Sequence, residues 1–164
     1  HLVFGTLHTT NAPGTIDRVI NVFPPGQQGQ IRTMIADSLK AVVSQALLPR
    51  RGGKGRVAAF EILRGTQNVA ALIREGKTFQ IPSIIQTSKR LGMITMNDTL
   101  LELVEKKLVE PKEAYMKSVD KASFVNSLKA KGFDVSFVEA DHTSTPPGAS
   151  PKAAAGAGGA GKKR

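Results

Sequence analysis

An imidazole, two hydroxyls and an amide follow directly after a short apolar run near the start of the chain. The run covers residues 2–7, and His8, Thr9, Thr10 and Asn11 come next. Its β-branched and aromatic residues predict a buried strand. Ligands of open α/β sheets bind at the carboxyl ends of strands, where a histidine can hydrogen-bond a γ-phosphate or orient a water molecule. The alternative is that His8 only caps the turn, with Thr10 and Asn11 as local caps.

The elements that would position these side chains occupy the next fifty-odd residues. A helix is predicted to begin near Ala12, because apolar residues then recur at helical spacing. A second apolar stripe predicts a helix over Gln28–Gln45. Strands are predicted over Ala46–Pro49 and Arg56–Leu63, joined by a glycine-rich hairpin turn. The first 65 residues therefore mix strands with helices.

The composition changes after Gly65, and every later segment to about Lys131 has a helical pattern. The predicted helices cover Gln67–Glu75, Gln80–Leu91, Asn97–Leu108, Pro111–Val119 and a segment capped by Asp120 that ends at Lys131. Phe133–Glu139 is either a short strand or a floppy extension. From His142 onward the Pro, Gly, Ala, Ser and Lys content predicts disorder. The predicted units are residues 1–65, 66–132 and 133–164.

Charge and cysteine content restrict the classes of function that this chain can have. The net charge is +10, and Lys152, Lys162, Lys163 and Arg164 of the tail supply part of it. A basic chain suits a phosphate ligand or an acidic partner, or the charge serves solubility alone. The absence of cysteine excludes disulfides and thiolate metal sites. No apolar run approaches the ~20 residues that span a bilayer. The chain opens on an apolar run without Met or a signal peptide, so we expect a fragment.

Two stretches approach the phosphate-binding P-loop pattern without completing it. That pattern places two glycines five residues apart before Lys and Ser or Thr, between a strand and a helix. Gly76-Lys77-Thr78 has its end, but Ala71 stands where the first glycine belongs. Residues 156–162 have the spacing, but Lys163 replaces the hydroxyl residue. We expect neither stretch to hold nucleotide phosphates, and no acidic strand end suited to Mg²⁺ is visible.

Several motifs occur in the order found in secretion and pilus ATPases. Residues 1–9 resemble the histidine box of those enzymes, and residues 15–24 look like the segment that follows it. Residues 44–51 and 55–63 are similar to the end of the same core. Residues 72–77 and 84–87 resemble the helical domain of the type IV pilus retraction ATPases, the PilT family. The resemblance extends from His1 to about Phe124.

This resemblance implies an α/β fold, with the C-terminal part of a RecA-like ATPase core over residues 1–65. A small all-helical domain over residues 66–132 and a disordered basic tail would follow. It implies a homo-hexameric motor that hydrolyses ATP with Mg²⁺ to drive pilus retraction and twitching motility. The motor would lie in the cytoplasm at the inner membrane, peripheral at most, with an inner-membrane pilus platform protein as partner and no nucleic acid. The fragment alone would bind neither ATP nor Mg²⁺ and would be inactive.

The resemblance also assigns roles to residues near the histidine box. His8 is the histidine nearest the γ-phosphate, and His1 is the second histidine of the box. Thr9 and Thr10 are expected to neighbour the nucleotide. Arg18 is expected to pair across the ring or to support the His8 loop.

A second assignment concerns the retraction signature of the family, A-I-R-N-L-I-R-E. Leu72, Ile73, Arg74 and Glu75 match its last four positions, whereas Ala70 and Ala71 replace the first Arg and the Asn. The apolar positions suit a packed helix, and Arg74 and Glu75 suit a surface or an interface. An ordinary amphipathic helix is the alternative interpretation.

Other functions stay open at this point. Pilus-assembly and type II secretion ATPases are close relatives, but they usually carry a cysteine metal cluster in this region. The lack of cysteine and the Leu72–Glu75 match favour retraction. A nucleic-acid-binding module would explain the charge, but a single tyrosine and no tryptophan argue against it. A structural interaction module is the third class.

Overall fold

The computed structural model describes residues 1–138. Predictions about residues 139–164, including the basic tail and its P-loop-like stretch, lie outside the described residues. The described α-helices are α1 (Ala12–Asn21), α2 (Pro25–Ser38), α3 (Gln67–Arg74), α4 (Ile81–Thr87), α5 (Met96–Glu105), α6 (Pro111–Lys117) and α7 (Lys121–Ala130). Short 3₁₀ turns at Thr78–Gln80 and Lys89–Leu91 flank α4, and the strands are β1 (Ala41–Pro49) and β2 (Arg56–Arg64). The fold class is thus mixed α/β, as predicted.

The two strands form one antiparallel hairpin. Its register runs from Ala41 opposite Arg64 to Pro49 opposite Arg56. The connecting turn contains Gly52, Gly53 and Gly55, whose φ angles of 91°, 79° and 79° lie in the left-handed region that glycine tolerates. The predicted hairpin turn is therefore confirmed.

The prediction of a helix from Gln28 to Gln45 is wrong at its second half. The helix α2 ends at Ser38, and β1 begins at Ala41. Along β1 the side chains of Val42, Ser44 and Leu48 are buried, and those between them are exposed or half-buried. This period of two belongs to a strand, and pairing with β2 satisfies the backbone groups that a longer helix would otherwise have used. Val42 also fits the apolar stripe of the predicted helix, which explains why the sequence pattern extends that helix too far.

The buried strand predicted over residues 2–7 is also absent. Residues 1–9 form neither helix nor strand, and Leu2, Val3 and Phe4 are 71%, 82% and 89% exposed. A strand needs a neighbour to pair its backbone groups, and none of the described residues runs beside this segment as a ladder. The sequence carries the strand pattern, but the described chain supplies no partner for it.

The other predicted helices are present with shifted ends. The helix predicted over Gln80–Leu91 is the shorter α4 between its 3₁₀ turns. The helix predicted to reach Leu108 ends at Glu105, because Lys107 adopts a left-handed φ of 56°. Asp120 caps α7 as predicted, since its side chain accepts a hydrogen bond from the Ser123 N–H.

Residues 133–138 do not form the short strand considered for them. Their apolar side chains pack against the helices instead, and the Phe137 ring lies 5.5 Å from that of Tyr115. The backbone N–H and the hydroxyl of Ser136 both donate to Asp134, and they lower the pKa of that carboxyl.

Buried apolar side chains form two clusters. The first cluster joins α1–α4 to the open end of the hairpin through Ala12, Ile16, Ile20, Ala36, Val42, Leu63, Val69, Ala70, Ile73, Ile81, Ile85 and Met93. The second cluster joins α5–α7 to the turn end through Leu48, Ala59, Met96, Leu100, Leu103, Val104, Val109, Ala114, Tyr115, Phe124 and Leu128. Each cluster thus uses residues from both sides of residue 65.

The backbone makes a close crossing at the boundary predicted near residue 65. The Gly65 N–H donates to the Lys40 carbonyl at 2.8 Å. A Cβ on Gly65 would lie only 2.0 Å from the carbonyl oxygen of Leu39. The division into units at residue 65 stays a prediction, and the crossing there has no room for a side chain.

Candidate functional site

The segment around His8 is held in place by the start of α1. Asn11 is the N-cap of this helix, and its side-chain oxygen accepts the Gly14 N–H at 2.8 Å. A Cβ on Gly14 would lie 2.8 Å from that same oxygen, so a larger residue here would require the Asn11 side chain to shift. The Asn11 cap thus fixes the conformation of the turn that follows His8.

The hydroxyl of Thr9 is engaged in this turn. The Thr15 hydroxyl donates to the Asn11 carbonyl at 2.9 Å. It also lies 2.6 Å from the Thr9 hydroxyl, which must then supply the shared proton. Thr9 therefore ties the segment to α1, whereas Thr10 is exposed.

An open depression lies beside the first turns of α1. Its lining residues are His8, Thr9, Thr10, Gly14, Asp17, Arg18 and Asn21. We call it the His8 depression. His8 and Arg18 are exposed, and within residues 1–138 neither side chain makes a hydrogen bond or an ion pair. The structure thus brings His8, Thr9, Thr10 and Arg18 together, but it does not place the exposed His1 among them.

One side of the His8 depression is hydrogen-bonded to the segment that follows α3. Both carboxylate oxygens of Asp17 accept from the Thr78 hydroxyl, at 2.9 and 3.1 Å. Thr78 is buried and opens the 3₁₀ turn before α4. Sequence reasoning missed this pair, because nothing in the local pattern joins residues sixty positions apart.

A buried carboxylate lies behind the same region. Glu61 of β2 is 6% exposed. Its Oε1 accepts the Ala12 N–H at 2.7 Å, and its Oε2 accepts the Met96 N–H at 3.3 Å. Sequence reasoning missed Glu61 too, although one signal was present. In β2 it alternates with Ala59 and Leu63, which face the core, so an acidic residue stood on the apolar face.

The Leu72–Glu75 segment divides into a buried and an exposed half. Ile73 is fully buried in the first cluster, and Leu72 packs against that cluster. Arg74 pairs with Asp37 of α2 at 2.6 Å, and both side chains are about half exposed. Glu75 pairs with Lys77 at 2.8 Å. This segment therefore joins α3 to the core on one side and offers charge on the other.

Gly76-Lys77-Thr78 does not form a phosphate cradle. The Lys77 ammonium is paired with Glu75, and the Thr78 hydroxyl is bonded to Asp17. Within the described part of the chain, no group of three His, Cys, Asp or Glu residues is placed to hold a metal ion. The His8 depression offers an imidazole, hydroxyls and a guanidinium, which can contact phosphoryl oxygens that another part of a protein binds.

Two known proteins with similar sequences carry names that refer to twitching motility or pilus retraction. The twitching motility protein of Neisseria gonorrhoeae is 50% identical over 114 residues, which cover 70% of this chain and 30% of that protein. The type IV pilus retraction ATPase PilT of Pseudomonas aeruginosa is 50% identical over 118 residues, 72% of this chain and 34% of that protein. The chain belongs to the PilT family. No protein-family model matches it.

A solved structure of the PilT family has the same arrangement of elements. The pilus retraction motor PilT with bound ADP matches 75% of this chain and 34% of its own, with a TM-score of 0.67 and 41% identity. The chain spans about a third of the length of the relatives it matches. The roles assigned to His8, His1, Thr9, Thr10, Arg18 and residues 72–75 stay predictions, and the structure adds Asp17, Thr78 and Glu61 to them.

Proposed function

We propose that this chain is part of a hexameric motor ATPase that hydrolyses ATP to drive type IV pilus retraction and twitching motility. The observation that carries the proposal is the 50% identity to two proteins named for these activities. The nucleotide in the matched PilT structure is consistent with ATP as the substrate.

In this proposal the chain supplies the edge of the site that faces the γ-phosphate. His8 is exposed beside the hydroxyl of Thr10 and the guanidinium of Arg18. From there the imidazole hydrogen-bonds the phosphate or orients the attacking water, and Arg18 contacts a neighbouring subunit or supports the loop. Mg²⁺ would neutralise the charge of the β- and γ-phosphates, but the described residues offer it no three-ligand cluster. In this proposal, other parts of the full-length protein bind the phosphates and the metal.

Two unpaired backbone segments support a RecA-like core completed by the full-length protein. Residues 2–7 have the pattern of a strand, and within residues 1–138 they pair with no other strand. One edge of β1 is also open among the described residues, where its ladder joins β2 alone. A central sheet contributed by the full-length protein would pair both and cover the exposed Leu2, Val3 and Phe4.

The proposal extends to location and partners. We place the motor in the cytoplasm, at the cytoplasmic face of the inner membrane, with a pilus platform protein as its partner and no nucleic acid. Among the described helices, none has the length and apolar character needed to cross a bilayer.

The test is ATP turnover by the full-length protein with His8→Ala. We expect kcat to fall on the order of a hundredfold, the loss typical of a positioned proton-handling group, without a change in folding. The matched control is His142→Ala, which removes a histidine outside the described fold. The chain of 164 residues alone should hydrolyse no ATP.

Two outcomes would contradict the proposal. A wild-type rate in the His8→Ala protein would remove the proposed role of His8 in ATP turnover. Full-length protein that hydrolyses no ATP, or cells that retract pili normally without it, would remove the motor function itself.

A further inference from the structure

The two clusters meet at a polar pair on the buried face of the hairpin. Ser44 and Glu61 are directly opposite in the register, and both are 6% exposed. Val42 and Leu63 of the first cluster lie toward one end, and Leu48 and Ala59 of the second cluster lie toward the other. The Ser44 hydroxyl has no hydrogen-bond partner in the described structure. The junction between the clusters therefore lacks continuous apolar packing. The hydrogen bonds that Glu61 makes there must help to hold the two clusters together.

Glu61 bonds the first N–H group of one helix from each cluster. Ala12 begins α1, and Met96 begins α5. The N-terminal N–H groups of a helix have no partner inside it, and the helix dipole favours a negative charge there. Each carboxylate oxygen of Glu61 satisfies one of these two groups.

The ordinary capping residues leave these two N–H groups for Glu61. Asn11 accepts the N–H of Gly14, and Thr95 accepts that of Asp98, so each cap satisfies the third residue of its helix. The start of α5 is further fixed by a bridge between Ile62 and Ile94, with N–H···O distances of 2.9 and 3.2 Å. Glu61 is thus the direct link between this fixed point and the start of α1.

We propose that Glu61 is a positioning residue that couples the His8 loop to the helices α5–α7. Ala12 follows the loop of residues 8–11 directly. A shift of β2 and the start of α5 relative to α1 would strain or break the bond between Oε1 and the Ala12 N–H. Displacement of a catalytic group by about 1 Å can cost a hundredfold in rate. This inference rests on the proposed function only in so far as His8 acts on a nucleotide.

The test compares Glu61→Gln with Glu102→Gln in the full-length protein. Glutamine has the same shape but only one acceptor oxygen, so its NH₂ group faces one of the two helix N–H groups. Glu102 lies exposed on α5, and within residues 1–138 its side chain pairs with Lys106 alone. We expect Glu61→Gln to speed hydrogen exchange at Ala12 and Met96 and to lower kcat about tenfold with little change in KM. Glu102→Gln should change neither.

The outcomes separate this inference from the proposed function. Unchanged exchange at both helix starts, or altered exchange with a wild-type kcat, would overturn the positioning role even if the motor function holds. A full-length wild-type protein without ATPase activity would overturn both the coupling to catalysis and the proposed function. The exchange data would still show whether Glu61 holds the starts of α1 and α5. If Glu61→Gln fails to fold, Glu61→Asp serves instead. It keeps both acceptors but is too short to reach both N–H groups, so the same pattern is expected.

Discussion

Asp17 contacts both the His8 depression and the buried Thr78 hydroxyl. The hydroxyl donates to the two carboxylate oxygens at 2.9 and 3.1 Å. The contact joins α1 to the segment after α3, and its loss would leave a buried donor without a partner. At the scale of single residues, the structure predicts that removing this polar contact beside His8 lowers the free energy of unfolding.

We expect Asp17→Ala to lower the free energy of unfolding by about 1–3 kcal/mol, because Thr78 loses its acceptor. Thr78→Val in the same protein should recover part of that loss, since it removes the unsatisfied hydroxyl. Urea denaturation of the single and double variants measures the coupling. Asp37→Ala is the control, because its exposed ion pair contributes at most about 1 kcal/mol. Additive effects of the two changes would show that the contact is not formed.

The residues of the site illustrate what local sequence reveals. His8, Thr9, Thr10 and Arg18 are close in the chain and line one depression, but the family resemblance and not the local pattern assigned Arg18 to the His8 loop. The role of His1 rests on the family resemblance alone and stays a prediction, and its exposed side chain does not line the depression. Asp17–Thr78 and the two bonds of Glu61 join residues 35–61 positions apart. Such contacts follow from packing, which no local pattern specifies.

At the scale of elements, α3 carries the segment that matches the retraction signature, and its two halves should respond differently. Ile73→Ala creates a cavity in the first cluster, so we expect it to lower the free energy of unfolding by about 2–5 kcal/mol. Arg74→Ala breaks an ion pair between half-exposed side chains and should cost less than about 1 kcal/mol. Chemical denaturation measures both.

The same two variants separate stability from motor function. If Arg74 serves an interface, Arg74→Ala will reduce pilus retraction in cells while the protein stays folded. Normal twitching with Arg74→Ala would leave Arg74 only its contact with Asp37. The segment would then be the amphipathic helix that the sequence alone also allows.

The crossing at Gly65 predicts a strong requirement for glycine. Gly65→Ala places a methyl group against the Leu39 carbonyl, and we expect it to lower the free energy of unfolding by about 1–3 kcal/mol. Gly29→Ala in α2 is the matched control, because a Cβ there meets nothing within 4 Å. Alanine should stabilise that helix by up to about 1 kcal/mol. Thermal unfolding compares the two, and equal midpoints would contradict the close crossing.

Element boundaries were predicted well where capping chemistry marks them. The sequence offers Thr10 or Asn11 as the cap of α1 and Asp120 as the cap of α7, and the structure has Asn11 and Asp120 there. The start of β1 was missed because Val42 and Val43 fit a helical stripe as well as a strand. Pairing with β2 selects the strand over the helix, and the residues that pair with Val42 and Val43 lie about twenty positions further along the chain.

At the scale of the whole molecule, the chain exposes Leu2, Val3 and Phe4, which the proposed RecA-like core would cover. We expect the backbone amides of residues 2–7 to exchange hydrogen rapidly in the chain of 164 residues. In the full-length protein the exchange should slow on the order of a hundredfold or more, because strand pairing protects amides. Exchange measured by mass spectrometry tests this, and peptides from α7 serve as the control. Equally rapid exchange in both proteins would argue against a RecA-like sheet that includes this segment.

The hairpin belongs to both clusters, and this has a consequence for cooperativity. An isolated two-stranded ribbon is at best marginally stable in water. The first cluster secures the open end of the ribbon, and the second secures its turn end. Melting of either cluster would therefore weaken the support of the other. We expect the described residues to lose their structure in a single unfolding transition, although their core is built in two parts.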